Sequence, residues 1–247
     1  MRFPAAAALL PLLLLAGCSG IPRDPEPASA PAVDVLLLGE QHDAAGHART
    51  HERWVTTLAD QGRLAGLALE MAEQGTSTAK LQPTASEQQV QLALRWNRAA
   101  WPWQRYAPAV MAAVRAGVPV AGANLPKDRQ RQAMRDDLLD GRLPQPALAA
   151  QRQAVREGHC DLVPAEQIPP MARIQIARDV AMAHTVASLA RPGKTVVLLA
   201  GAGHVRPDVG VPLHLPATLS VRPVELPREE TGRDYCAELR KQMEPRK

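Results

Sequence analysis

VVLLAGAGHVRPDVGVP, residues 196–212, begins as an unbroken apolar run and stops at a glycine-rich turn that carries His204. VDVLLLGEQHD, residues 33–43, has the same build: an apolar run, then Gly39, two residues and His42, matched in the later copy by Gly201, two residues and His204. Short runs that are apolar throughout suit strands covered on both faces, as in a parallel sheet between helices. Residues 65–69 and 118–121 have the same character, and with 33–38 and 195–200 they make four predicted strands. Helical segments are expected over 47–61, 128–139, 146–156 and 171–189, with a terminal helix over 228–243. This alternation predicts an α/β fold with a mostly parallel central sheet flanked by helices. Residues 211–215 and 219–226 are expected to add short edge strands near the C-terminus, their prolines limiting the pairing.

The N-terminus, MRFPAAAALLPLLLLAGCSG, has one positive charge at Arg2, an apolar stretch through Leu15, and then Ala16, Gly17 and Cys18. It resembles a bacterial lipoprotein signal, in which residues 1–17 are removed and Cys18 is lipidated, anchoring the protein to a membrane. An uncleaved anchor or a plain secretory signal would also export the chain. Residues 18–32 then read as a Pro-rich extended tether, and residues 33–247 as a single α/β domain. Ser19 after the lipidated cysteine fits an outer-membrane lipoprotein, facing either the periplasm or the surface, because the inner-membrane retention signal places aspartate there. No other stretch reaches the roughly 20 apolar residues that a helix needs to cross a bilayer. The formal charge of +4 is spread along the chain with both signs mixed, which argues against nucleic acid as a partner. Cys160 and Cys236 remain as an exported pair that can be free or disulfide-bonded.

In an open parallel sheet, ligands bind in the crevice outside the carboxyl ends of the strands. Those ends are expected to carry Glu40 and His42, Glu70, Asn124 and His204. Imidazole and carboxylate bind zinc and other first-row divalent ions. His42, Glu70 and His204 are therefore a candidate metal triad, with Glu40 as a further ligand or a general base. The structural alternative has the same residues hydrogen-bonding loop backbone. His47 and His51 stand four apart on one predicted helix, without the order of the His-Glu-x-x-His motif. His51 reads as part of a solvated face. The chain has only 4 Trp, 2 Tyr and 1 Phe, yet Trp96, Trp101, Trp103 and Tyr106 all fall within LRWNRAAWPWQRYAP, residues 94–108. Such a cluster suits a flat cofactor, and a tyrosinate oxygen can ligate ferric haem. A helix hairpin packed on the sheet, or a subunit interface, would use the same residue types.

LLLGEQHDAAGH, LALEM, WPWQRYAP, GVPVAGANLPK, EGHCDLVP, IQIARDVAMA and LLAGAGHVRPDVGVP occur in an order that resembles the ChaN family of haem-binding bacterial lipoproteins, the haem-uptake branch of the Tiki superfamily. The resemblance runs from Val33 to about Val221. It implies an iron-regulated, membrane-tethered α/β protein involved in haem uptake, in which a homodimer encloses stacked haems and tyrosine ligates iron. An outer-membrane haem transport system is the implied partner. On this chain the resemblance implies Tyr106 as iron ligand with Tyr235 as the alternative, contacts from Trp101 and Trp103 in the same motif, and a supporting contact from His159. The wider superfamily includes proteins similar to metal-dependent peptidases and esterases, whose metal site resembles the paired Gly-x-x-His plus glutamate. The leading expectation is thus a non-enzymatic haem-binding lipoprotein. The alternatives are a metal-dependent hydrolase, with Glu40 taking a proton from metal-bound water, and a non-catalytic envelope scaffold.

Overall fold

The computed structural model describes residues 32–244; the expected signal peptide, the expected lipidation site Cys18 and nearly all of the expected tether lie outside the described residues. In chain order the elements are β1 (Val35–Glu40), α1 (His47–Asp60), β2 (Leu64–Glu73), α2 (Glu87–Ala93), α3 (Trp103–Arg115), β3 (Val120–Asn124) and α4 (Lys127–Ala133), followed by α5 (Gln145–Gly158), α6 (Ile168–Leu189), β4 (Thr195–Gly201), α7 (Ala202–Val205), β5 (Val221–Glu225) and α8 (Tyr235–Met243). The strands form one parallel sheet in the order β3-β2-β4-β1-β5. The fold class is as the apolar runs predict, and the four expected strands all form. β1 and β4 are neighbours, paired from Val35 with Val196 to Glu40 with Gly201. The two Gly-x-x-His turns therefore leave the same rim side by side.

Strands β1 to β4 bury both faces because helices cover both, whereas the edge strand β5 is half-buried to exposed. Leu36 and Leu38 of β1, with Val197 and Leu199 of β4, pack against Trp54, Val55 and Leu58 of α1 and Val110 of α3. The alternate residues Val35 and Leu37, with Val196 and Leu198, pack against Met182, Ala183 and Val186 of α6. This period of two is the strand geometry itself. α6 is buried on a second side too, where Ile176 meets Leu148 and where Ala172 and Ile168 meet Val155 of α5. That second contact explains why its sequence is apolar nearly all round.

The differences from expectation have local causes. Residues 211–215 are no strand: Pro212 has no amide hydrogen to give a ladder, and Val211–His214 forms a short 3₁₀ turn. The 219–226 run does supply an edge strand, β5, which pairs in parallel with β1 and tolerates Pro223 because it has only that one neighbour. The helix expected over 128–139 stops at Ala133, and Asp136 caps a separate 3₁₀ turn, Asp137–Arg142, by accepting from the Leu138 amide. The expected terminal helix begins only at Tyr235. His51 does not face solvent: the stripe of α1 that carries Trp54 and Leu58 buries it completely. Cys160 and Cys236 are joined by a disulfide, with α-carbons 5.7 Å apart.

Candidate functional site

Glu40 ends β1 on the face that α1 and α3 cover, in step with Leu36 and Leu38. Its carboxylate accepts from the Tyr106 hydroxyl at 2.5 Å and from His42 Nδ1 at 2.7 Å, and His51 Nδ1 lies 3.5 Å away. Burial pushes this carboxyl up, but the two histidines and the Tyr106 hydroxyl outweigh that and hold it below its ordinary value. Glu70 points to the opposite layer. A register shift between Leu69 and Glu73 disturbs the end of β2, the kind of irregularity that re-aims a side chain next to a site. The Glu70 carboxylate meets the Arg178 guanidinium from α6 and accepts from the Gly201 amide at 2.6 Å. It is held at about 2, because His204, Arg178, His42 and the Gly201 amide outweigh the upward push of burial.

The two histidines of the repeated turn stand on either side of Glu70. Nε2 of His42 and Nε2 of His204 each lie 3.7 Å from it. Each Nδ1 is bound to a different carboxylate, His42 to Glu40 and His204 to Asp179 at 2.6 Å. An Nδ1–carboxylate bond fixes the tautomer and orientation of an imidazole. The rim is thus two carboxylate–imidazole pairs, one from each helical layer, converging on a third carboxylate. Asp179 directly follows Arg178 on α6, so one turn of helix supplies both the cation on Glu70 and the partner of His204.

His42, Glu70, His204 and Glu40 therefore come together as the sequence predicts, but not as a divalent metal site. Both oxygens of Glu70 are engaged, one by Arg178 and one by the Gly201 amide, and the guanidinium already supplies the positive charge that a metal would bring. Among the described residues no group of three His, Cys, Asp or Glu side chains is arranged to hold a metal ion. The donor set does not fit the ion that the hydrolase alternative requires.

A cavity of about 1280 Å³ opens over this rim, above the roughly 300–1,000 Å³ usual for small-molecule sites. One wall carries His42 and Trp101, whose rings meet edge to face at 4.8 Å, together with Arg105. The other wall is the segment after β5, including Arg228, Arg233 and Tyr235. The loop after β1 pins this segment. His47 Nε2 donates to the Pro227 carbonyl at 2.8 Å, the Glu229 carboxylate accepts from the Gly46 amide at 3.0 Å, and Gln41 bonds the Glu229 backbone. The Tyr235 hydroxyl donates to the Asp43 carboxylate.

The aromatic cluster divides between cavity and core. Trp101 lines the cavity. Trp103 does not: it is buried, with Trp96 edge-on at 5.0 Å and its Nε1 donating to Glu87 at 2.6 Å. Tyr106 is 1% exposed and faces Glu40 from below the rim, and burial together with that neighbouring charge pushes its hydroxyl well above the usual range. It keeps its proton and does not reach the cavity. His159 binds the Val155 carbonyl through Nδ1 and lines a separate space of about 200 Å³ on the far side of His204. The roles that the sequence leaves open or unstated fall to His47, Arg178, Asp179 and Asp43. Only partner geometry marks them, since each is a common residue on an ordinary helix or loop.

A family model described as haem-binding uptake, Tiki superfamily, ChaN matches residues 28–215. Among solved structures, one described as cofacial heme binding to ChaN of Campylobacter jejuni is 24% identical, with 80% of this chain and 83% of that chain covered and a TM-score of 0.63. The type III effector HopBA1 is 16% identical over 69% of this chain and 67% of its own, with a TM-score of 0.37. No curated protein matches. The cavity wall after β5 lies beyond the stretch that the family model matches.

Proposed function

The chain belongs to the haem-binding uptake family ChaN of the Tiki superfamily, and on that premise we propose that it binds haem in the large cavity, with Tyr235 as the iron ligand. One observation carries this reading: Tyr235 is the tyrosine on the cavity wall, whereas Tyr106 is enclosed against Glu40. Haem bound there supplies an iron centre that a phenolate can ligate, and two apolar faces that aromatic side chains can cover. Trp101 offers such a surface. Arg105, Arg228 and Arg233, all on the cavity, offer guanidinium groups of the kind that pair with carboxylates. Asp43 orients the phenol from behind through its hydrogen bond to the hydroxyl. A single tyrosine engages one face of a haem, which leaves the other for a second copy of the chain and supports a haem-enclosing homodimer.

In this reading Cys18 carries the lipid and residues 18–32 space the domain from the outer membrane. Tethered there, the protein receives haem and passes it to a transport system during iron uptake. The metal-dependent hydrolase reading is not retained, because Arg178 already neutralises Glu70.

Titration of haem-free protein with ferric haemin tests the assignment. Wild type is expected to give a Soret shift with a tyrosinate-type spectrum, Tyr106→Phe the same spectrum, and Tyr235→Phe a changed spectrum with weaker binding. A wild-type spectrum from Tyr235→Phe removes the ligand, and no Soret shift in wild type removes the function.

A further inference from the structure

Resting on the reading that haem occupies the large cavity, we propose that the Cys160–Cys236 disulfide is the positioning element for Tyr235, so that only the oxidised protein presents this side chain to the cavity. The argument starts from how little else holds the helix. α8 has no buried residue, and Tyr235, its first, is 48% exposed. A helix this short depends on tertiary packing for its stability, and this one contributes no apolar face to the core. Its remaining ties are polar and at the surface. They include the Tyr235 hydroxyl on Asp43, the Arg233 guanidinium 4.9 Å from the Tyr235 ring and paired with Glu238 of α8, and the Asp234 carboxylate accepting from the Ala237 amide at 2.8 Å.

The bond at Cys236, the very next residue, is of another kind. Its partner Cys160 follows the C-cap of α5, His159, and α5 is anchored on α6 through Leu148 and Val155. Cys160 and Asp161 both adopt left-handed backbone, φ 55° and 57°. The turn they form returns the Cys160 amide to the Glu157 carbonyl at 2.9 Å and the Asp161 amide to the Arg156 carbonyl at 3.1 Å. Non-glycine residues hold such φ values only where their surroundings fix them. A hydrogen-bonded turn at the end of α5 thus holds the segment one residue from Tyr235. Upstream, Arg233 and Thr231 reach the Asp43 carboxylate, and Glu229 is held by Gly46 and Gln41. Between it and Tyr235 the chain passes Gly232 at φ 70°. Without the disulfide, Tyr235 is left with polar ties at the surface, its own hydroxyl on Asp43 and the neighbouring Arg233, and no covalent link to a packed helix.

The bond forms when the two thiols lose two protons and two electrons to a disulfide-exchange oxidant such as oxidised glutathione. Completion of the cavity wall is thereby tied to an oxidising compartment, the one that an exported chain reaches.

Amide exchange on haem-free protein, followed by haemin titration, tests this in Cys160→Ser/Cys236→Ser. The α8 amides are expected to exchange roughly tenfold faster or more, and haemin affinity to fall by roughly tenfold, the loss that follows when a pre-organised ligand must be ordered on binding. Protection in β1 and β4 should persist, reporting an intact core. Wild-type protein reduced with a phosphine and desalted without oxygen provides the same comparison if the variant fails to fold. Unchanged α8 exchange together with unchanged haemin affinity overturns the inference. If Tyr235→Phe binds haemin as wild type does while α8 loosens in the cysteine variant, the ligand assignment falls and the positioning role of the disulfide stands. If Tyr235→Phe loses haemin and the cysteine variant keeps it, the disulfide inference alone falls.

Discussion

His51 should set the acid limit of this fold. It is fully buried under Glu40 and stacked 6.5 Å from the Tyr106 ring, and among the described residues neither ring nitrogen has a hydrogen-bond partner. Burial pushes its pKa down from 6.5 to about 4, the Glu40 charge only partly opposing it. The folded protein therefore keeps His51 neutral where the unfolded chain protonates it. Stability is complete above the ordinary histidine pKa and drains away as pH falls towards the depressed one. At about 1.36 kcal/mol per pKa unit, the loss from this residue reaches roughly 3 kcal/mol below pH 4 and about 2 kcal/mol at pH 5. His42 works in the opposite sense. Burial lowers it, but Glu40 and Glu70 raise it further, so its contribution is present at acid pH and lost as pH rises through the raised value. His51→Leu removes the buried imidazole while keeping an apolar side chain of similar size. Urea unfolding of haem-free protein at pH 7 and at pH 5 should show the variant losing about 2 kcal/mol less than wild type across that interval. Parallel losses in the two proteins would show that His51 is charged or solvated in the fold, and the account of the layer beneath the rim would be wrong.

Arg178→Met leaves the Glu70 carboxylate buried without its cation, and should cost about 3–5 kcal/mol in urea unfolding; combining it with Glu70→Gln should recover most of that loss. Gly39→Ala puts a β-carbon 2.3 Å from Val205 Cγ2 and 3.0 Å from the Ala202 α-carbon, so a drop in thermal midpoint corresponding to about 1–3 kcal/mol is expected. An unchanged midpoint would mean that α7 can slide away from β1.

What the sequence discloses and what it hides divide by the range of the interaction involved. Strands buried on both faces announce themselves as apolar runs, and the glycines that end β1 and β4 mark where the chain turns into the rim. His42, Glu70 and His204 were findable because each follows such a run. Their partners were not: Arg178 and Asp179 lie on α6, whose near-continuous apolar character conceals which turn faces the strand ends. The aromatic cluster misleads in one respect: along the chain Trp101, Trp103 and Tyr106 group together as haem contacts, whereas the fold puts Trp101 on the cavity and Trp103 and Tyr106 within the core. Trp101 precedes α3, whereas Trp103 and Tyr106 lie on its buried side, and composition does not show which side of a helix a residue takes. His51 misled for the same reason, a polar residue on the inner stripe of α1.

β5 has a consequence that reaches beyond pairing. Because it runs parallel to β1 at the sheet edge, its chain leaves at the carboxyl end, where the Leu226 amide donates to the Gly39 carbonyl at 2.8 Å. The last part of the chain thereby arrives at the rim without crossing any other element. Strands β1 to β4 and the charged rim lie within residues 28–215, which the family model matches, while β5 and the wall that carries Tyr235 follow them. The tyrosine on the cavity therefore reaches the rim by way of the sheet's edge strand.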